Sequence, residues 1–545
     1  TRMHPGGGLQ CRCLAGVAAL VLLALSGGVA GAQPWPSDSG LEELRARLDA
    51  QAAEIATLRA RLDQQPRGAN LSAGQSFGTR PRLGPYHRSV ANSGQSLYAP
   101  AAYAPPNVAY GRLPPASYPD CYCGPDLYRV PVVTDEPWCG CGDEAPPSLR
   151  KFNFYLDSDR GLVIRPVNPH THPFELKFNA WIQFRHTGFA RDVDTFTDNA
   201  GQTFEVDNRN AFEIERGRLV FSGYAVDPRL TYFLQLDGDT DGGHVVDFFD
   251  YWWAWQFSDD FRLQFGKRKV PASRQWILTA RNTRFVDRPM ANDFFRPDRT
   301  VGIFGIGNMG ELSRYEFMIG NGFNTTNLPN SRTDDQFAFA YSQYYDPLGD
   351  YGPQIVDWDD TREPLVRIGH SFVYAPTAED ALGTPQGEAD FLRLTDGTVL
   401  TDAGALAPGV TVSSYDLYYY SLDAAVKYRG FSLNAEFFAR WIQEIDADGP
   451  IPVADLFQRG YYVEGGCFLV PRKLDVNFRY SQIDGLFGNS SEYAAGANWW
   501  PLETYNLKLS IDATVLDGSP LNNTGSNVLS GDDGLLIRTQ VQAFY

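Results

Sequence analysis

The sequence predicts an all-β fold, a transmembrane antiparallel β-barrel preceded by a short helix and an extended linker, and three observations point there. From about residue 150 onward, apolar and polar residues alternate: Phe174, Leu176, Phe178, Ala180, Ile182 and Phe184 are set between Glu175, Lys177, Asn179, Trp181, Gln183 and Arg185. Period two of this kind marks strands with one apolar and one polar face. Aromatic residues make up 14% of the 545-residue chain and glycine numbers 52, which suits pleated surfaces joined by turns and speaks against an all-helical protein. Past Gln33 no apolar run approaches the roughly 18 residues a membrane helix needs, so strands would have to make any passage through a bilayer.

The segments before the barrel read differently. Arg2 and His4 precede the apolar run Leu14 to Leu25, and Ala30-Gly-Ala32 follows, so residues 1–32 are expected to be a secretory signal peptide. Within 33–66, Leu41, Leu48, Ile55 and Leu62 take the a positions of a heptad and Leu44, Gln51, Leu58 and Gln65 the d positions, until Pro66 stops the helix. This is a short coiled coil, read as an oligomerisation element rather than a helix docked on its own domain. Residues 67–150 form a Pro/Gly/Tyr-rich linker. It holds four thiols in two C-x-C pairs, Cys121 with Cys123 and Cys139 with Cys141. Disulfides are the simpler account of them in an exported chain, because zinc sites more often use C-x₂₋₄-C spacing. Cys467 stands alone in a strand-like segment and is expected to be a buried apolar residue.

The barrel is assigned to 151–545. Leu474, Val476, Phe478 and Tyr480 alternate with polar neighbours, as do Tyr505, Leu507, Leu509, Ile511 and Ala513, and Leu535, Ile537, Thr539, Val541, Ala543 and Tyr545. A soluble sandwich also alternates, but the polar phase here carries charges along whole strands. Aromatics also crowd the expected strand ends, at Tyr251-Trp-Trp253, Trp255, Tyr418-Tyr-Tyr420 and Trp499-Trp500, where interfacial girdles would sit. The inward phase is mixed: Lys177, Arg185, Lys427, Arg429, Arg440, Arg479, Lys508 and Arg538 share it with Glu175, Asp423, Glu436 and Asp475.

With a periplasmic N-terminus, the first strands fall at about 174–189, 212–224, 229–237, 245–257 and 261–266, which makes 267–299 the third external loop. Between 261 and 300 stand ten basic residues, Arg262, Lys267, Arg268, Lys269, Arg274, Arg281, Arg284, Arg288, Arg296 and Arg299. Only Asp287, Asp293 and Asp298 oppose them, so this stretch carries +7 while the rest of the −18 chain carries −25. If the loop folds into the lumen, its nine cations from Lys267 to Arg299 line the narrowest point, and guanidinium forks match phosphate or carboxylate oxygens. The alternative is a solvated loop outside the lumen.

At this point the chain resembles the phosphate-selective porin O and P family. The resemblance runs from about 174 to 545 and rests on Phe212-Glu-Ile-Glu-Arg-Gly-Arg218, Asp247-Phe-Phe-Asp-Tyr251, Phe265-Gly-Lys-Arg-Lys-Val-Pro271, Phe285-Val-Asp-Arg-Pro289 and Phe295-Arg-Pro-Asp-Arg-Thr-Val-Gly302. The terminal strand ending on Tyr545 resembles the closing strand of bacterial outer-membrane barrels. The family implies about 16 strands, a homotrimer, an inward-folded third loop and inorganic anions such as phosphate as the permeant solutes. The chain departs from the family pattern at Pro271-Ala-Ser-Arg274, where Pro-Phe-Gly is common.

Other readings are weaker. Asp237-x-Asp239-x-Asp241-Gly242 imitates half a calcium loop, but its twelfth position is Phe248 rather than a bidentate Glu. The seven histidines show no ligand spacing, and no nucleophile elbow, zinc-protease or phosphate-loop motif occurs. No cofactor, metal or catalytic activity is therefore expected, and an acidic chain argues against nucleic acid. The expectation is an outer-membrane, anion-preferring passive channel. Its rivals are a weakly selective general or sugar-type channel, and a barrel that anchors a cell-wall tether through 33–66.

Overall fold

The structure, a computed structural model, describes residues 151–157, 160–240, 246–325, 332–379, 392–521 and 528–545. The expected signal peptide, coiled coil and linker lie outside the described residues, as does Asp241 of the calcium-like motif. The disulfides expected of Cys121, Cys123, Cys139 and Cys141 lie outside them too, and among the described residues the cysteine is Cys467.

The chain opens with a hairpin, β1 (Phe152–Asp157) and β2 (Gly161–Pro166), followed by β3 (Phe174–Arg191). A small hairpin, β4 (Thr195–Thr197) and β5 (Thr203–Glu205), stands apart. Then come β6 (Arg209–Ala225), β7 (Asp227–Gly238), β8 (Val246–Ser258) and β9 (Phe261–Lys269). After a long connection follow β10 (Arg299–Asn308), β11 (Ser313–Gly320), β12 (Ala338–Tyr345), β13 (Leu365–Thr377), β14 (Val412–Tyr428) and β15 (Phe431–Ala447). The last five are β16 (Leu456–Val470), β17 (Leu474–Gly485), β18 (Gly488–Trp499), β19 (Leu507–Asp517) and β20 (Gly534–Phe544). Strands β3 and β6 to β20 pair antiparallel with their neighbours, and β20 returns to β3 from Gly534↔Arg191 to Phe544↔Trp181, which closes a 16-stranded barrel. Where β20 stops, β2 continues along the same edge of β3, pairing Leu162 with Phe178 and Ile164 with Leu176.

The two faces are inverted relative to a soluble protein. In β20, Leu535, Ile537 and Val541 are exposed while Arg538, Gln540 and Gln542 are buried, the alternation of a barrel with lipid outside and polar groups within. One end carries short turns. At Arg429-Gly430 both residues have positive φ, which closes the two-residue hairpin from Tyr428 to Phe431 with the twist that neighbouring strands require. The sequence placed Arg429 in the lumen phase, but it is exposed in this turn because the strand has already ended. The aromatic girdle is also thinner than expected. Tyr251, Trp253 and Trp499 face outward, whereas Trp252 stacks on Phe233, Tyr419 is fully buried, and Trp500 packs on Trp358 inside. In adjacent aromatics the pleat sends alternate rings to opposite faces.

At the other end, 192–208, 392–411, 519–521 and 528–532 knit together. The Asn199 amide N–H donates to Asp396 and Thr398 at 2.9 Å each, Asn199 Nδ2 donates to the Ala405 carbonyl at 2.6 Å, and Ser530 Oγ donates to the Gly397 carbonyl at 3.4 Å. Beneath them one apolar cluster joins Leu392, Leu394, Leu400 and Leu406 to inner-wall residues such as Ile442, Leu516 and Leu536. Cys467 is a reduced, half-buried thiol in β16, less deeply placed than the sequence suggested.

Candidate functional site

The connection between β9 and β10 spans 270–298. Pro271 ends the strand, Ser273 caps a single turn α1 (Arg274–Ile277) by accepting from the Trp276 amide, and Thr279 starts a 3₁₀ turn at Ala280–Asn282. Pro289 then leads into α2 (Met290–Phe295). So broken a segment leaves many backbone amides without intrasegment partners, and lumen-phase side chains supply them. Glu436 of β15 accepts from the Arg274 and Gln275 amides at 3.0 and 3.3 Å, Ser481 of β17 from Ala291 at 2.9 Å, Glu492 of β18 from Met290 at 2.6 Å and Asp512 of β19 from Val286 at 3.0 Å. The apolar side of α2 joins the cluster beneath the covering loops, with Phe295 stacked on Phe438 at 5.5 Å.

The nine predicted anion-binding residues fall into two groups. Lys267, Arg268 and Lys269 belong to β9, and Arg299 opens β10, because the ladder continues through Arg299↔Lys269; the loop is therefore shorter than the 267–299 predicted. Seven cations are buried and engaged. Lys267 donates to the Phe248 carbonyl at 3.1 Å, and Arg268 pairs with Glu316 at 2.7 Å. Lys269 and Arg288 cap the carbonyls of Trp276 and Leu278. Arg284 reaches Asn477, Ser432 and the Ile355 carbonyl, Arg296 pairs with Asp293, and Arg299 pairs with Asp250 and Asp298. Arg274 and Arg281 are only half-buried. The Arg281 guanidinium lies 3.9 Å over the Phe544 ring; that of Arg274 lies 5.1 Å from the Tyr351 ring centroid and 4.0 Å from Asp423.

The strongest electrostatic feature centres on Asp287. Its Oδ1 accepts from Arg185 Nη2 at 3.1 Å and Arg216 Nη2 at 3.3 Å, and its Oδ2 lies 2.9 Å from Arg185 Nη1 and 3.1 Å from Arg538 Nη1. These arginines come from β3, β6 and β20, the strands at the closure. Glu215 sits 3.2 Å from Arg185 and 2.8 Å from Arg216, and Asp512 accepts two bonds from Arg538 at 2.9 and 3.1 Å. Burial alone would raise the Asp287 pKa, but the three guanidiniums outweigh it and hold the carboxyl below the usual range. Asp293, in α2 of the same segment and equally buried, moves the other way: burial dominates, and Arg296 and Arg288 recover only part of its cost. A small cavity of about 20 Å³ adjoins the clamp, lined in part by Asp287, Arg288, Glu492, Thr514 and Arg538.

Sequence reasoning placed Arg185 and Arg538 in the lumen phase but missed Arg216, Glu215 and the pivotal role of Asp287. A register shift between Gln183 and Phe184 in the β3–β6 pairing buries Glu215 and Arg216 together, which strict period two forbids.

Residues 187–340 match the family model described as phosphate-selective porin O and P. No curated protein matches the chain in sequence. Among solved structures, an anion-selective porin from Comamonas acidovorans is 12% identical, with 68% of this chain and 99% of that one covered and a TM-score of 0.46. The outer-membrane channel DcaP of Acinetobacter baumannii is 8% identical, with coverage of 68% and 97% and a TM-score of 0.43. Salmonella typhi OmpF in complex with daunomycin is 10% identical, with coverage of 68% and 98% and a TM-score of 0.41.

Proposed function

We propose, from the premise that the chain is an outer-membrane porin matching the phosphate-selective porin O and P family over residues 187–340, that it is a passive, anion-preferring diffusion channel whose narrowest part is built by segment 270–298. The observation that carries this reading is the segment's position against lumen-phase side chains of β15, β17, β18 and β19, with the half-buried Arg274 and Arg281 among its cations. A guanidinium steadied on an aromatic face keeps its charge and presents donors in a plane that suits phosphate or carboxylate oxygens. Phosphate is the inorganic anion the reading favours, and a homotrimer is the expected assembly. The apolar residues of 392–406 pack in the same cluster as α2, so they help to hold the segment in place.

The test is the reversal potential of purified protein in a planar bilayer under a salt gradient, followed by phosphate titrated against chloride conductance. Anion preference with phosphate block supports the full reading, and anion preference without block removes phosphate. Cation preference, or no preference, overturns the proposal.

A further inference from the structure

Asp287 differs from the other points at which the segment is held. Elsewhere the wall mostly grips the segment's backbone: Glu436, Ser481, Glu492 and Asp512 accept its amides, and Arg440, Arg479 and Lys508 donate to its carbonyls. Here a carboxylate of the segment enters a cradle of wall guanidiniums. Arg185 contacts both of its oxygens, and Arg216 and Arg538 complete the set with one each. Four N–H groups converging on two oxygens is how proteins bind a free oxyanion. Charge points the same way. Asp287 is the carboxylate that Arg185, Arg216 and Arg538 share, beside Glu215 on the first two and Asp512 on the third, so its loss takes one negative charge out of a buried cluster. An uncompensated buried cation is costly and draws in a counter-charge. The adjoining cavity of about 20 Å³, enlarged by removal of the carboxylate, is where that counter-charge would enter.

We propose that Arg185, Arg216 and Arg538 form a binding site for a small singly charged oxyanion, a carboxylate or monobasic phosphate, which the segment's own Asp287 occupies as a tethered ligand. A tethered group competes at high effective concentration, so the docked segment is the default state. An external oxyanion gains the site only when Asp287 leaves. The contact is therefore an autoinhibitory latch between segment and wall. Its ligand preference is separable from channel selectivity because it is read without ion flow.

The experiment uses the full chain in detergent micelles and follows thermal unfolding of Asp287→Ala against sodium formate, phosphate and chloride. The expected result is a lowered midpoint that formate or phosphate raises saturably, by several degrees, with chloride much weaker and wild type flat. Restoration by formate but not phosphate narrows the site to carboxylates; the reverse narrows it to phosphate. Adding Arg538→Gln to the variant should abolish the restoration. Equal anion effects in wild type and variant, or no saturable effect, overturn the proposal. Should Asp287→Ala fold poorly, Asp287→Ser is refolded with and without formate. A folded yield that depends on the oxyanion supports the site, and no yield in either condition counts against it. Wild-type anion selectivity without this restoration would sink the latch and leave the channel reading standing.

Discussion

Phe295→Ala removes the side chain that fastens α2. Phe295 is fully buried, stacks on Phe438 with ring centroids 5.5 Å apart, and meets Phe294 edge-on at 4.9 Å. Truncating a buried Phe costs ~3–5 kcal/mol, lost transfer energy and the residual cavity together, of which each aromatic pair accounts for ~0.5–1.5 kcal/mol. The barrel ladder does not run through this residue, so the loss should fall on docking of segment 270–298. At ~1.4 kcal/mol per tenfold, the docking equilibrium weakens by roughly a hundredfold to a few thousandfold. Single-channel recording in planar bilayers should then show larger, noisier conductance and weaker anion preference, while Phe295→Leu, which keeps most of the volume, stays near wild type. Unchanged conductance and reversal potential in a folded Phe295→Ala barrel would refute the claim that this segment narrows the path.

The half-buried Arg281 and the buried Arg284 should separate when each is changed to Gln. Arg281→Gln should shift the reversal potential toward cations with little loss of stability, whereas Arg284→Gln forfeits three hydrogen bonds and should lower the thermal midpoint; identical behaviour would contradict the split. Glu316→Gln leaves Arg268 and Arg314 without their shared carboxylate, a loss of ~3–5 kcal/mol visible in denaturant unfolding, and a variant as stable as wild type would disprove the pairing. Ile537→Arg on the outward face should cost ~2–4 kcal/mol in lipid vesicles; a variant as stable as wild type would mean that the faces are misassigned.

The sequence made the barrel legible because lipid and lumen impose opposite demands on alternate residues, and Leu535, Arg538 and Gln540 obey them. It made the segment visible through local charge density. It did not show where that charge goes, since Arg268 meets Glu316 and Arg284 meets Ser432 and Asn477, partners 48 to 193 residues away. A +7 count over a short stretch is therefore compatible with buried, satisfied cations. Docking sites were hidden for another reason: they are absences. A Cβ at Gly460 would lie 2.5 Å from the Phe295 ring, and one at Gly466 would lie 2.8 Å from Arg284 Nη1, so bare backbone on β16 admits both side chains. In a strand such glycines read as weak spots unless the approaching group is known.

The closure of the barrel brings together its most distant parts in sequence, with Gln183 and Gln542 hydrogen-bonded across 359 residues. Asp287 grips Arg185 and Arg538 on either side of that seam and Arg216 one strand further on. One of the clamp's three guanidiniums, that of Arg538, does not reach Asp287 until the final strand has been laid beside the first. The Asp287 clamp therefore cannot be complete before the wall is, and a misregistered closure leaves its guanidiniums without their shared carboxylate. The clamp thus ties the seating of the middle of the chain to the joining of its ends.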